Sequence, residues 1–356
     1  GCLRRGRLRA ALGIGGSAND RSQAAPPLAP HAPDTIEVQG AAFAFAAHLR
    51  WSEGLPHVDW SGVWPWVDAF GDRAVRNEAW ALCERAWLAH LAQALGPAFL
   101  VRSEGDTLLL SSLDARAAHV VLEYVNRTRS RVLRVLEGIA ADDEMGKDIV
   151  ILFDDDEGYY RYVSHHYPEA GAFALSGGMC IHDGGCVHFV SVKHEQHALE
   201  PVIAHETTHA MLAHLPLPLW LNEGLAVNTE RRLSPPVAGP RHTDVGVHQM
   251  HRRHVEFWGC DEIQEFWSGA SFGRPDQGNE LSYDLARILV EQFAADWPRF
   301  VQFVNAAQRD DGGEAAARSC LGLALGDAVA AVLERESPAD LAPHPDLWTS
   351  VRTEPA

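Results

Sequence analysis

Basic residues are scarce in this sequence of 356 residues. It contains 30 lysines and arginines against 48 aspartates and glutamates, so its formal net charge is −18. Nucleic acids and anionic membranes are bound through clustered basic side chains, and this balance argues against both partners. The one dense basic group lies within residues 4–9, and no apolar core of the kind found in a secretory signal follows it.

Cysteine pairs and long apolar runs are also missing. The six cysteines are widely spaced without a C-x-x-C pair, which argues against a disulfide framework. No stretch approaches the roughly 18 consecutive apolar residues of a membrane span. We therefore expect a cytoplasmic protein without a membrane span; a leader upstream of Gly1 and the oligomeric state stay open.

A metal-binding motif stands in the second half of the sequence. Residues 205–209 read His-Glu-Thr-Thr-His, an H-E-x-x-H run. Residues four apart share one face of a helix, so His205 and His209 can direct ring nitrogens at one metal with Glu206 beside them. Flanking apolar residues recur at helical spacing, which favours a buried helix. Zinc prefers such ligands, and a catalytic zinc needs a third one.

Glu223 is the candidate third ligand. Pro216 and Pro218 end the motif helix because proline lacks a backbone N–H group. Residues 219–227 then restart an amphipathic segment that can return against the helix and bring Glu223 to the histidines. Glu230 is a candidate hydrogen-bond partner for a histidine ligand. The alternative is a salt-bridged surface helix whose histidines are incidental.

These residues resemble a known family. The H-E-x-x-H run, the run Trp-Leu-Asn-Glu-Gly at 220–224 and Glu230 are similar to those of the gluzincins, zinc metallopeptidases of the peptidase MA-like type, and distantly to aminopeptidase-N-like enzymes. The resemblance covers roughly residues 145–335. It implies a zincin-like catalytic domain in which Glu223 completes the Zn²⁺ ligands.

The same resemblance points to an oxyanion stabiliser. Tyr283 falls where the aminopeptidase-like members carry a tyrosine in this role. Residues 280–289 read as an amphipathic helix, so a tyrosine packed in the core is the alternative. Four further histidines are candidates in a stretch where solvent exposure is the ordinary expectation: His242, His248, His251 and His254.

Three features depart from the family pattern. Only thirteen residues separate His209 from Glu223, and Val227 stands where thermolysin keeps an aspartate. Residues 177–181 lack the glutamate and asparagine with which aminopeptidases hold a substrate's free amino group. A carboxylate is the natural partner of an ammonium group, so this absence argues against an exopeptidase of that kind.

Residues 177–192 predict two strands around an Asp-Gly-Gly turn at 183–185. In gluzincins an edge strand at this place binds extended peptide, which favours a polypeptide substrate. The two strands carry two Cys/His pairs: Cys180 with His182, and Cys186 with His188. These can form a second, structural zinc site if both pairs face one side; ordinary thiols and strand histidines are the alternative.

The sequence thus predicts an α+β fold with a small mixed sheet, a metal-binding helix and a C-terminal helical subdomain. Its expected parts are a disordered arm (1–34), a tryptophan-rich α/β region (35–110), the gluzincin-like catalytic domain (111–335) and a loosely ordered tail (336–356). We expect the clustered tryptophans to be core rather than a stacking surface.

The predicted function is that of a zinc metallopeptidase acting on peptides or proteins, in which Glu206 takes a proton from a zinc-bound water. The alternative is a binding or scaffold protein with a structural zinc. Glu206 speaks against that alternative, because a structural site needs no base between its ligands. Hydrolysis of a non-peptide amide or ester at the same zinc is a third possibility.

Overall fold

The computed structural model describes residues 32–142, 145–167, 178–193, 196–234 and 244–348, so residues 1–31 of the predicted arm lie outside it. Within these ranges the fold is α+β, as predicted. The strands are β1 (Ile36–Val38), β2 (Ala41–Phe43), β3 (Leu49–Ser52), β4 (Leu55–Val58), β5 (Leu100–Glu104), β6 (Thr107–Ser111), β7 (Asp148–Phe153), β8 (Gly178–Asp183) and β9 (Cys186–Val192).

Twelve helices are present in the described ranges. They are α1 (Trp60–Asp68), α2 (Arg73–Leu95), α3 (Ala115–Val135), α4 (Asp156–His166), α5 (Gln196–Leu212), α6 (Leu219–Leu233), α7 (Asp244–Phe257), α8 (Cys260–Ser268), α9 (Gln277–Phe293), α10 (Trp297–Ala306), α11 (Glu314–Ala316) and α12 (Leu325–Leu333). No single described helix is long and apolar enough to cross a membrane; one bent pair, Glu314–Leu321 with Leu325–Leu333, meets the length and composition requirement jointly.

A mixed sheet of five strands, in the order β5-β6-β7-β9-β8, organises the first half of the chain. β5 and β6 form an antiparallel hairpin, and α3 then crosses over so that β7 pairs parallel to β6. β9 pairs parallel to β7, while β8 runs antiparallel to β9 at one edge. Asp114 caps the start of α3 because its side chain accepts the backbone N–H of Ala117, and the helix buries its apolar side.

The predicted boundary between residues 110 and 111 falls inside β6, which is paired to β7. The tryptophan-rich region also shares its core with the sheet: Trp60, Trp80 and Trp87 are buried in one cluster with residues of β6, β7 and β9. Of the clustered tryptophans expected to be core, Trp60 is buried and Trp64 and Trp66 pack partly buried against the same cluster, whereas Trp51 is 60% exposed.

The β8–β9 hairpin has a two-residue turn, Gly184-Gly185, with φ of +54° and +92°. Both values lie in the left-handed region that glycine adopts without strain. This turn pairs Cys180 with Phe189 and Asp183 with Cys186. Cross-strand partners share a face, so Cys180 and His182 lie on the side opposite to Cys186 and His188. The second zinc site considered from the sequence therefore does not form.

A group of histidines lies between the tryptophan-rich region and the sheet. His57 of β4 is buried, its ring stacks on His165 of α4 at 3.5 Å between centroids, and both its ring nitrogens lack partners among the described residues. His166 contacts His57 edge-on, and His188 of β9 shares a hydrogen bond of 2.7 Å between its Nε2 and the hydroxyl of Tyr162. Burial, followed by the charges of His165 and His166, lowers the pKa of His57 to about 3.

The second half is a helical layer around a separate core in which α5, α6 and α9 pack together. The described part of the predicted loose tail packs on this layer. Leu341 is buried, its carbonyl accepts the indole N–H of Trp267, and the side chain of Gln264 contacts the backbone of Ala342 and His344. These backbone contacts explain why a polar, proline-containing stretch is held in place through residue 348.

Candidate metal centre

Helix α5 presents both histidines of the motif on one face. Ala204, Met211 and Leu212 are buried, and the hydroxyl of Thr208 bonds to the carbonyl of Ala204 at 2.8 Å. The helix that carries the two histidines is therefore anchored in the protein interior. The His205 and His209 rings lie 4.7 Å apart between centroids, and their Nε2 atoms are 3.0 Å apart.

Helix α6 brings Glu223 to the same point. α5 ends at Leu212 and α6 begins at Leu219, which confirms the predicted proline-bounded return. The approach of α6 to α9 is close at Gly224, where an added Cβ would lie 2.7 Å from the carbonyl oxygen of Ala286. Glycine at this position lets the two backbones meet, and this contact positions the adjacent Glu223.

The distances suit a tetrahedral ion. Glu223 Oε2 lies 3.3 Å from His205 Nε2 and 3.4 Å from His209 Nε2. Metal–ligand bonds of about 2.0–2.2 Å in a tetrahedral zinc site place ligand atoms roughly 3.3 Å apart. Glu223 Oε2 is also buried without a hydrogen-bond partner among the described residues. An orphaned carboxylate oxygen facing two imidazoles fits a cation, since it otherwise stays unsatisfied.

The second ring nitrogen of each histidine has its own acceptor. His205 Nδ1 lies 3.1 Å from Glu230 Oε2, and His209 Nδ1 lies 3.1 Å from Asn222 Oδ1. Carboxylate and amide oxygens only accept, so each Nδ1 carries a proton and each Nε2 is the nitrogen left to bind a metal. Glu230 stands where the sequence placed it. The role of Asn222 was missed, although it is part of the run that carries Glu223.

The carboxylates of Glu223 and Glu230 have the strongest charge effects on His205 of this centre. Burial lowers the pKa of His205, but Glu223 and Glu230 outweigh it and raise that pKa to about 10. Burial raises the pKa of Glu223, but His209 and His205 outweigh it and lower that pKa to about 2. A positive charge is thus held among the three side chains, and a divalent cation would compete with the proton for them.

Glu206 and Tyr283 lie close to this centre. Burial raises the pKa of Glu206, opposed by His209 and His205, and its side chain lines a cavity between α5 and the sheet. Burial and the negative charges of Glu223 and Glu206 raise the pKa of Tyr283. The Tyr283 ring packs edge-on against Phe272, and none of the hydrogen bonds among the described residues involves its hydroxyl. The structure therefore brings His205, His209, Glu223 and Glu230 into contact, and it places Glu206 and Tyr283 near enough to interact with them electrostatically.

The described structure does not place the four further histidine candidates in the metal centre. His254 is buried between α7 and α9, where its Nε2 contacts Asp284 Oδ2 at 2.9 Å and its Nδ1 accepts the indole N–H of Trp258. His251 Nε2 contacts the carbonyl of Val332, and His248 is exposed. His254 and His251 thus make packing contacts, and His242 lies outside the described residues.

Edge strand β8 adds residues that sequence reasoning treated only as possible structural ligands. Cys180 Sγ and His182 Nε2 lie 3.7 Å apart on the face toward α5. Burial, followed by the charge of His209, lowers the pKa of His182, and burial, Cys180 and Glu206 raise the pKa of Tyr167. The two-residue length of the Gly184-Gly185 turn could have predicted that Cys180 and His182 share a face without Cys186 and His188, because turn length fixes the strand register.

No protein-family model matches the chain, and neither a curated protein nor a solved structure matches it, so the site stands on its own residues and geometry.

Proposed function

We propose that the protein is a zinc-dependent metallopeptidase of the gluzincin pattern with a zincin-like catalytic domain. The observation that carries the proposal is the meeting of His205 Nε2, His209 Nε2 and Glu223 Oε2 at 3.0–3.4 Å. The Nδ1 atoms of His205 and His209 contact the side chains of Glu230 and Asn222, respectively. A nitrogen-rich set of three ligands with room for a fourth is the donor set of catalytic zinc.

Zn²⁺ bound at this centre supplies a Lewis acid that polarises water and the substrate carbonyl. Glu206 accepts the proton released as water attacks the carbonyl carbon and later donates it to the departing amine nitrogen. Its raised pKa, caused first by burial, moves it toward the range in which one carboxyl performs both transfers. Tyr283 donates a hydrogen bond to the oxygen that becomes negative.

An extended peptide is the substrate class that the surrounding structure favours. In the described sheet β8 pairs only with β9, so its other side is an edge on which a peptide backbone can pair. The face of β8 that carries Cys180 and His182 looks toward α5, the helix with both histidine ligands. A substrate strand at this edge would run beside the metal centre.

A zinc that only joins α5 to α6 is the alternative function. The orphaned Glu223 oxygen supports this alternative as well, because a structural zinc would also satisfy it. Glu206 distinguishes the two: it lies in the site, ligates nothing in the arrangement above, and lines an adjoining cavity. Catalysis requires that carboxylate, and a structural zinc does not.

Glu206→Gln is the decisive variant. We expect it to bind one Zn²⁺ per chain, as the wild type does, and to lose hydrolysis of an unfolded protein by at least about 100-fold, because a general base is removed. Metal content is measured by mass spectrometry and cleavage by peptide mapping. Glu256→Gln, an exposed glutamate of α7, is the matched control and should retain activity.

The results separate the possibilities. A wild type that binds zinc but cleaves neither an unfolded protein nor a peptide library would rule out the peptidase and leave the structural zinc. Cleavage confined to small esters or non-peptide amides would establish a hydrolase of another substrate class. If neither the wild type nor the Glu206→Gln variant binds zinc, both the peptidase function and the structural zinc are excluded.

A further inference from the structure

A cavity of about 430 Å³ lies beside α6, away from the metal centre. It is enclosed by α6, α9, the start of α10 and the end of α3. Glu223 and Glu230 are seven positions apart and share one face of α6, whereas the cavity residues Leu225 and Arg232 share the opposite face. Its volume is within the range of roughly 300–1,000 Å³ that small-molecule sites occupy.

One part of the cavity wall is apolar. Val135 and Leu136 come from the end of α3, Val290 from α9, and Trp297 and Phe300 from α10. Phe300 is buried and Trp297 is half-buried, so packing restricts the side chains of this wall to fixed positions. It would accept a compact hydrocarbon or aromatic group.

The opposite part is cationic. Arg231 and Arg232 line the cavity with exposed side chains and have no ion pair among the described residues. Arg287 also lines it, but its charge is already paired with Asp284 and Glu291. Two guanidinium groups without an ion pair in the described part of the chain are notable at a net charge of −18, and they make this cavity a place for an anion.

Thr229 provides an independent sign of a ligand. It lines the cavity and is 1% exposed, yet its Oγ1 has no hydrogen-bond partner among the described residues. A helical threonine ordinarily bonds to the carbonyl four residues earlier, as Thr208 does. A buried hydroxyl left free on a cavity wall is expected to find its partner in what occupies the cavity.

We propose that this cavity binds a monoanionic amphiphile, a carboxylate with a compact apolar body. Arg231 and Arg232 hold the carboxylate, the hydroxyl of Thr229 turns toward it by rotation about χ1 and donates, and the body lies against Val135 and Trp297. Planar guanidinium groups match a carboxylate with paired hydrogen bonds. Glu291 is part of the lining and disfavours a dianion such as a phosphate monoester.

Calorimetric titration of the full chain with octanoate and with 3-phenylpropionate tests this site. We expect binding of at least one probe, no binding of the matched neutral amides, and weaker binding of octyl phosphate. The double variant Arg231→Gln/Arg232→Gln should weaken binding about tenfold or more, since hydrogen bonds to a charged group are lost. Both side chains are exposed, so the fold is not at risk.

Two further variants complete the design. Thr229→Val keeps the shape of the side chain and removes its hydroxyl, and it should also weaken binding. Arg161→Gln, an exposed arginine of α4 distant in sequence from the cavity lining, is the control and should bind like the wild type. The proposal is overturned if neither carboxylate binds at millimolar concentration, if the neutral amides bind equally well, or if the double variant binds like the control. None of these readouts depends on zinc or on peptidase activity.

Discussion

At the residue scale, the ring orientation of the two proposed histidine ligands depends on two side chains outside the proposed ligand set. Glu230 accepts from His205 and Asn222 accepts from His209, each at 3.1 Å. Without its acceptor, a ring is free to rotate or to place its proton on Nε2, where the proton blocks the metal. The two acceptors thus fix both the tautomer and the direction of each ligand.

We therefore expect Glu230→Ala and Asn222→Ala each to weaken zinc binding by about 10- to 100-fold. Competition with a chromophoric chelator measures the affinity. Glu256→Ala on α7 provides the control for loss of a glutamate, and it should leave the affinity unchanged. Equal affinity of all three variants and the wild type would show that the ring orientation is held by helix packing alone.

Tyr283 gives a second residue-scale prediction. Its free hydroxyl lies in the field of Glu223 and Glu206, which with burial keep the phenol protonated and able to donate. Tyr283→Phe should keep zinc and lower kcat by about 100-fold or more, the cost of losing one donor to a developing oxyanion. Steady-state cleavage of a peptide substrate measures this loss.

A change confined to KM would instead assign Tyr283 to substrate binding, and full activity would assign it to core packing. Tyr124→Phe is a suitable control, because the hydroxyl of Tyr124 bonds to the carbonyl of Glu200 at the other end of α5. That variant removes a phenol hydroxyl near the same helix but not at its metal-facing residues.

At the element scale, local spacing predicts much of this centre. Four-residue spacing predicts the metal-facing side of α5, and the prolines at 216 and 218 predict the return that delivers Glu223. The two-residue length of the Gly184-Gly185 turn also predicts that Cys180 and Cys186 lie on opposite faces of the β8–β9 hairpin. The contacts of His57 with His165 and of Gln264 with the chain after Leu341 join segments distant in sequence, so no local pattern announces them.

The histidine group between β4, α4 and β9 makes stability depend on pH. The pKa of His57 is 6.5 in an open environment and about 3 in the fold, and that of His166 falls to about 4. The unfolded chain therefore binds protons that the folded chain does not. Above about pH 6.5 these histidines are neutral in both states and do not reduce the free energy of unfolding. As the pH falls toward the lowered pKa values, protonation of the unfolded chain progressively reduces that free energy.

His57→Phe should reduce this loss, because phenylalanine can stack on His165 without binding a proton. Between about pH 7 and about pH 4.5, the free energy of unfolding of the wild type should fall more steeply than that of the variant, by up to about 1.4 kcal/mol per pH unit for one proton. Urea unfolding at several pH values measures the slopes. His248→Phe, at an exposed position of α7, should retain the wild-type slope. Parallel curves for all three proteins would contradict this role of His57.

At the scale of the whole molecule, the tryptophan-rich region and the sheet depend on each other. β5 and β6 occupy one side of the sheet, and Trp64 donates its indole N–H to the carbonyl of Gly184 at the far hairpin. The side chain of Glu84 is likewise buried and accepts the backbone N–H of Lys147 just before β7. The first part of the chain therefore supports the strand on which a substrate would pair.

A chain that begins at residue 112 should consequently lack a cooperative unfolding transition, since it exposes β7 and the residues that cover the tryptophan core. Near-ultraviolet circular dichroism during heating measures this. The full chain is the reference, and the separate fragment 32–111 added to the shortened chain should restore a transition. A shortened chain that melts cooperatively alone would restore the boundary expected from the sequence.

The three residues that meet at the metal position all fall between His205 and Glu223, on two consecutive helices. Closing so short a loop costs little chain entropy, whereas the sheet requires pairings between segments far apart in sequence. The candidate metal centre is thus much more local in sequence than the parallel pairings of the sheet. If the α5–α6 hairpin binds zinc as proposed, it can do so before the sheet is complete, and refolding with zinc present from the start should be faster than refolding without zinc.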